Sequence, residues 1–306
     1  MIRSLADVSR IAAEKGPKKL AVLAPEDEEF MLAVKRSWEA GYIEPVLIGN
    51  SEKMDELAAK VGFDISKFER IIEKDRQRIS DLGIGMLFSG KLSIVSKGQI
   101  PTAYVYRSII RAEGKAASGM TVSVVSFWEI PDLGHLTAFT DTGVSIMPDY
   151  KTKRDILRNA VFLYHLLGYK KPRIVVISGQ RKFGGFLDSY RDYKLLRKAA
   201  EAGEFGDCEV ISATSLTEVF LGARGRLRDY RDIDLTKIPH VILVPRLDTG
   251  NIMCKLDFFL DVTRFSIAVT SRGAVCIPSR ADFSDSIMME LAMGVVVADR
   301  LEMEVK

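Results

Sequence analysis

Apolar positions along the chain alternate between two spacings. From Ser4 to Glu14 they fall at Leu5, Val8, Ile11 and Ala12, one face of a helix. Lys19–Ala24 is a continuous apolar run of strand length. Pro25 and the acidic residues Glu26–Glu29 suit a helix start, and that helix runs to about Ala40 and stops at Gly41. The same rhythm continues. Strands are expected at Glu44–Ile48, Ser93–Val95, Thr121–Trp128, Leu136–Phe139, Arg173–Ile177, Val241–Val244, Ser266–Val269 and Val275–Ile277. Helices are expected from Ser51 and over Thr102–Arg111, Asp149–Leu167, Leu187–Ala202, Leu247–Leu260 and Phe283–Val297. Strands alternating with helices predict an α/β fold with mostly parallel sheets. In such sheets ligands sit at the carboxyl ends of strands, so the turns that follow strands are the places to search for chemistry.

Composition narrows the class. The 306 residues suggest two domains. A hydrophobic content of 47% excludes an intrinsically disordered chain. A net charge of +3 is no nucleic-acid footprint, though it is compatible with a small polyanion held at one site. No run approaches a membrane span; the dense apolar stretches, such as Val122–Trp128 and Gly294–Val297, are strand-like in length. Met1-Ile2-Arg3-Ser4 leads into a charged helix pattern rather than a signal peptide. Cys208, Cys254 and Cys276 are too scattered for a disulfide framework or a zinc site, which suits a cytoplasmic protein with free thiols. His135, His165 and His240 are isolated in sequence, and His165 falls on an apolar helix face.

Four strand-to-helix turns carry candidate chemistry. Ser96-Lys97-Gly98…Thr102 puts a lysine, a glycine and a threonine N-cap at a helix start, a plausible anion site, and equally an ordinary turn with a solvated lysine. Thr140-Asp141-Thr142-Gly143 presents hydroxyls and a carboxylate; simple turn chemistry with an Asp149 N-cap accounts for it as well. In Leu247–Asn251, Gly250 falls early in a helix, where close approach of a ligand or of another backbone would explain it. Ser279-Arg280-Ala281-Asp282, with Asp285, sets a hydroxyl, a guanidinium and two carboxylates at the start of the last helix. Arg224–Arg231 is a basic run that fits either a solvated loop or a phosphate-rich ligand.

Taken in order, these turns resemble the phosphate acetyltransferase and phosphate butyryltransferase family. Lys97-Gly98…Thr102 looks like its Met-Lys-Gly-x-x-x-Thr turn. Thr140-Asp141 with Pro148-Asp149 looks like its Thr-Asp…Pro-Asp segment, and Gly250-Asn251 with Lys255 like its Gly-Asn…Lys helix. Ser279–Asp282 matches the Ser-Arg-Ala-Asp turn of the butyryl branch. The resemblance implies two α/β domains around a cleft, similar to isocitrate and isopropylmalate dehydrogenases. The first would be discontinuous, residues 1–128 and 268–306, and the second 129–267. It implies reversible transfer of a short-chain, butyryl-like acyl group between coenzyme A and phosphate, with acyl phosphate as the other substrate. Coenzyme A would be a co-substrate; no tightly bound cofactor, metal, nucleic acid or membrane is implied, and a homodimer or dimer-based oligomer is.

By the same resemblance, Ser279 and Arg280 would hold the phosphoryl group, and Asp282 or Asp285 would be the base that helps form the thiolate. Lys97, Gly98 and Thr102 would contact phosphate or acyl phosphate; Thr140, Asp141, Gly250, Asn251 and Lys255 would orient substrate. The chain departs from the pattern at Ser145 and Ser286, where the family carries asparagine and aspartate, at Gly179–Gly185, and near Ser212–Ser215. These departures leave a second reading, a diverged protein that binds coenzyme A or acyl phosphate without turnover. A dehydrogenase with the related fold would need metal-binding aspartates and a nicotinamide site, and no convincing set of either is found.

Overall fold

A computed structural model describes residues 1–131, 133–179, 186–214, 238–260 and 262–304. The chain divides into two compact units. A terminal unit comprises Leu5–Val122 with Phe265–Lys306; a middle unit comprises Met1–Ser4 with Ser123–Arg264.

In the terminal unit the strands β1 (Lys18–Leu23), β2 (Ile43–Gly49), β3 (Arg70–Ile72), β4 (Ile94–Lys97), β10 (Thr263–Val269) and β11 (Ala274–Cys276) lie in the order β3-β2-β1-β4-β11-β10. Neighbours are parallel throughout, except the β10–β11 hairpin. Helices α1 (Leu5–Lys15), α2 (Glu28–Glu39), α3 (Ser51–Lys60), α4 (Arg76–Phe88), α5 (Thr102–Ala116) and α9 (Ser284–Glu304) accompany them. Asp27, Asn50 and Asp75 cap α2, α3 and α4 by accepting from the backbone N–H three residues on, which gives these helices defined starts. The longest helix, α9, buries Ile287, Leu291, Met293, Val295, Val296 and Val297 and packs against α1, α2 and β11. A helix so widely apolar is stable only when surrounded, and each such side chain contributes about 1.5–3 kcal/mol on burial. The helix expected over Phe283–Val297 thus includes the dense apolar run Gly294–Val297 and extends to Glu304.

The middle unit holds β5 (Val124–Glu129), β6 (Thr137–Thr140), β7 (Arg173–Ile177), β8 (Glu209–Thr214) and β9 (Val241–Leu243), in the order β5-β6-β9-β7-β8. Only β5 runs antiparallel to its neighbour. Its helices are α6 (Tyr150–Leu166), α7 (Asp188–Glu201) and α8 (Leu247–Cys254). Asp149 caps α6 as expected, accepting from Thr152 N at 2.8 Å. The helix expected over 247–260 is shorter. It ends at Cys254 and passes into a 3₁₀ turn, Lys255–Phe258, where Asp257 accepts from Arg264 Nε at 2.5 Å. All three cysteines are buried, and burial raises their thiols, Cys208 to about 11. Among the described residues no helix is long and apolar enough to cross a membrane.

Candidate active site

In the terminal unit β4 and β11 are parallel neighbours, with Ser96 opposite Cys276. The turns that follow them, Lys97–Gly98 and Ser279–Asp282, therefore leave the same end of the sheet, although 180 residues of chain lie between them. Next to β4 on its other side, β1 ends at Leu23 and leads into Ala24, and the two turns interlock. Gly98 N donates to Leu23 O at 2.8 Å and Gln99 N to Ala24 O at 2.9 Å. A Cβ at Gly98 would lie 2.3 Å from Ala24 O and 2.6 Å from Leu23 O, so only glycine fits this crossing. Lys97 is 3% exposed, and its Nζ donates to Gly98 O at 3.3 Å. Thr102 is the first residue of α5 and not its cap. Pro101 takes the cap position with extended backbone, and no side chain caps the helix.

The Ser279 turn closes on itself. Ser279 N donates to Asp282 Oδ2 at 2.7 Å, and Asp282 N to Ser279 O at 3.2 Å. Arg280 is exposed and forms no ion pair among the described residues. Asp285, in the first turn of α9, accepts from Arg36 Nη1 at 2.6 Å. Ser284 N donates to Glu29 Oε2 at 2.7 Å, so a carboxylate of α2 supplies the cap that α9 lacks locally. Glu29 and Arg36 thus fix the helix start that presents Ser279 and Arg280. In sequence they are two charges of an amphipathic helix, and only the pairing with α9 reveals them.

Glu26 was likewise read only as part of a helix start. Its side chain is 3% exposed, and it accepts from both terminal nitrogens of Arg76, at 2.9 and 2.6 Å, and from Lys53 at 3.3 Å. Burial opposes its ionisation, but Arg76 and then Lys53 outweigh that and hold the carboxyl below its ordinary value.

The middle unit pairs its two turns in the same way. β6 and β9 are parallel, with Thr140 opposite Leu243, and the turn after β6 lies against α8, which follows β9. A Cβ at Gly250 would come within 2.7 Å of Asp141 O and 3.2 Å of Thr142 Cα. The glycine thus serves the close approach of a backbone. Asp141 is 3% exposed and follows a cis peptide. It accepts from the N–H groups of Val124 (3.0 Å), Gly143 (3.0 Å), Val144 (3.2 Å) and Ser145 (2.7 Å). The buried Thr140 hydroxyl donates to Val124 O at 3.0 Å, so these two side chains organise their own loop. Asn251 and Lys255 are exposed on α8 and the turn after it.

The histidines are less isolated than their spacing suggests. His135 and His240 pack edge to face with ring centroids 4.6 Å apart, and His240 Nδ1 accepts from Arg173 N at 2.9 Å. Burial, then His135 and Arg173, push His240 down to about 3, a neutral packed pair. His165 is half-buried, its Nδ1 2.8 Å from Tyr169 O. Residues 180–185, Ser215 and the basic run Arg224–Arg231 lie outside the described residues.

Fold and turns together define the class: an α/β protein of largely parallel sheets, carrying paired polar turns at strand carboxyl ends. The family resemblance read from those turns is borne out. Residues 79–185 match the family model described as "Phosphate acetyl/butaryl transferase". The chain is 27% identical over 299 residues to the phosphate butyryltransferase of Clostridium acetobutylicum, covering 97% of this chain and 99% of that one. Among solved structures it is similar to a branched-chain phosphotransacylase from Enterococcus faecalis (TM-score 0.71, 19% identity, 91% and 99% of the two chains). It is also similar to a phosphotransacetylase from Streptococcus pyogenes (TM-score 0.71, 18% identity, 98% and 99%). These structures show the fold, the dehydrogenase-like α/β fold of phosphotransacylases. Its relatives make the protein a transferase.

Proposed function

We propose that the protein catalyses reversible transfer of a short-chain, butyryl-like acyl group between coenzyme A and phosphate. The observation that carries this reading is the pairing in the terminal unit. The parallel strands β4 and β11 bring the Lys97–Gly98 turn and the Ser279–Arg280 turn to one end of one sheet. An ammonium, a hydroxyl and an exposed guanidinium at one sheet end suit a phosphoryl group, Arg280 by bidentate donation. The full-length likeness to a phosphate butyryltransferase favours the butyryl branch.

In this reading the thiol of coenzyme A attacks the acyl carbonyl of the acyl phosphate. The thiol proton goes to Asp282 or Asp285, the C–O bond to phosphate breaks, and phosphate leaves with its electron pair. Arg280 and Ser279 stabilise the charge that grows on the phosphoryl oxygens. Each candidate base already accepts a bond that orients it, Asp282 from Ser279 N and Asp285 from Arg36. Thr102, Gly250, Asn251 and Lys255 complete the proposed substrate contacts; Thr140 and Asp141 act by holding the 141–145 loop. Coenzyme A is a co-substrate with no resident cofactor. A cytoplasmic homodimer accompanies the reading, supported by the exposed apolar side chains of Ile146, Met147, Ile252, Phe258 and Phe259 in the middle unit.

The test is phosphate-dependent release of coenzyme A from acyl-CoAs running from acetyl through butyryl and branched chains to aromatic ones. Turnover greatest with butyryl-CoA or a close neighbour is the expected result. No turnover on any of them, with coenzyme A still bound, would leave a binding protein in place of the enzyme.

A further inference from the structure

A second cluster of cations lies in the terminal unit, and the proposed transfer does not use it. A pocket of about 500 Å³ opens between the last turns of α4 and α5 and the turn of the β10–β11 hairpin. Arg111 and Lys115 reach it from α5, and Arg272 from the hairpin. The hairpin turn is held in place by a buried carboxylate: Ser271 N donates to Glu113 Oε1 at 2.7 Å, and Glu113 is 4% exposed. A built contact thus keeps a third cation beside two others.

Asp81 is the acid at this pocket, and its carboxylate is engaged by Ser108 at 2.6 Å and Gln77 at 3.1 Å, with Arg111 at 3.4 Å. Lys115 and Arg272 form no ion pair among the described residues. Gathered like charges repel, and a bound anion relieves that repulsion. Most of the rest of the lining is apolar, with Ile84, Phe88, Ala112 and Ala116 beside the cations, a surface that suits a flat ring. The pocket sits by the C-terminal ends of α4 and α5. The turns of the proposed active site lie at the opposite end of the parallel strands, where helices begin.

We propose that this pocket is a second ligand site, for a phosphate ester whose body carries a flat aromatic ring, such as a nucleoside monophosphate. The phosphate lies among Arg111, Lys115 and Arg272, and the ring lies on Phe88 and the two alanines.

The test uses the full chain and calorimetric titration with AMP, adenosine and inorganic phosphate. AMP is expected to bind more tightly than either fragment. Lys115→Ala with Arg272→Ala is expected to weaken AMP roughly tenfold or more, the loss of two charge-assisted contacts. Arg280→Ala is expected to leave it unchanged, which separates this site from the proposed catalytic one. Both pocket residues are exposed, and Arg272→Glu alone provides a second variant should the double one unfold. Absence of AMP binding, equal binding of adenosine or phosphate, or wild-type affinity in the pocket variants would overturn the proposal.

Discussion

Replacing Arg76 by methionine would strand the Glu26 carboxylate. Glu26 is 3% exposed, and Arg76 supplies two of its hydrogen bonds; Lys53 remains, at 3.3 Å and on a side chain 56% exposed. Breaking a buried pair by removing one partner costs about 3–5 kcal/mol. Arg76 is itself 32% exposed, so solvent screens the pair, and about 2–3 kcal/mol at pH 7 is the expected loss. The sign of the pH dependence is sharper still. In the native protein the folded carboxyl lies below its ordinary value of 4.5, so its contribution is present above that value and is lost as pH falls through the folded one. Without Arg76, burial prevails and the folded value rises above 4.5. Stability is then lost as pH increases through the raised value. The gap between native protein and Arg76→Met should therefore widen from pH 4 to pH 7. Adding Glu26→Gln should restore most of the loss, because the uncompensated charge is gone. Urea unfolding at several pH values measures each quantity. A gap that stays constant with pH, or an equal loss in the double variant, would refute the argument.

Three further outcomes follow from the same geometry. Arg280→Ala should lower kcat/KM more than tenfold while leaving the unfolding midpoint unchanged, since in the proposed transfer this exposed guanidinium stabilises charge on the phosphoryl group and packs into no core; equal kinetics would remove Arg280 from the mechanism. Gly98→Ala should destabilise by about 1–3 kcal/mol, because its Cβ meets two carbonyl oxygens of the β1 end, and a melting curve matching the native one would show that the crossing can relax. His240 stays neutral in the folded protein down to about pH 3 but protonates in the unfolded chain near 6.5, so stability should fall as pH drops through that window. His240→Gln should flatten the fall by up to about 1.4 kcal/mol per pH unit, and an unchanged slope would contradict the neutral packed pair.

The main elements were legible because their signals are local. Apolar runs of strand length mark most strands of both units within a few residues, and Asp149 announces its helix by type alone. Three elements were not legible. β3 is only Arg70–Ile72, too short to show a period. α4 contains Gly83 and Gly85, whose low helix propensity weakens its pattern; a Cβ at Gly83 would meet the Leu23 side chain at 2.4 Å, so the glycine marks close packing of helix on strand. β8 received no strand expectation because its run, Glu209–Thr214, mixes polar and apolar residues at a sheet edge.

The site shows the same division between local and distant information. Residue types at turns pointed to Lys97, Ser279 and Arg280, because a cation or hydroxyl at a strand end carries its chemistry in its own sequence. That the Lys97 and Ser279 turns share one sheet end depends on β11 pairing with β4, a contact between residues 180 positions apart. The supports are more distant still: Glu29 caps Ser284 across 255 positions, and Arg36 meets Asp285 across 249. Asp141 makes the complementary point. A carboxylate at a strand end reads as chemistry, yet four backbone N–H groups point at this one, and it shapes the loop that follows. A carboxylate so filled with backbone donors is committed to its own loop, whereas Asp282, which accepts from Ser279 N, is only half-buried and lies on the turn that carries Ser279 and Arg280. Placement on the turn, which only the folded chain supplies, favours Asp282 over Asp141 as the proposed base, and Asp282→Asn should lower turnover where Asp141→Asn lowers stability first.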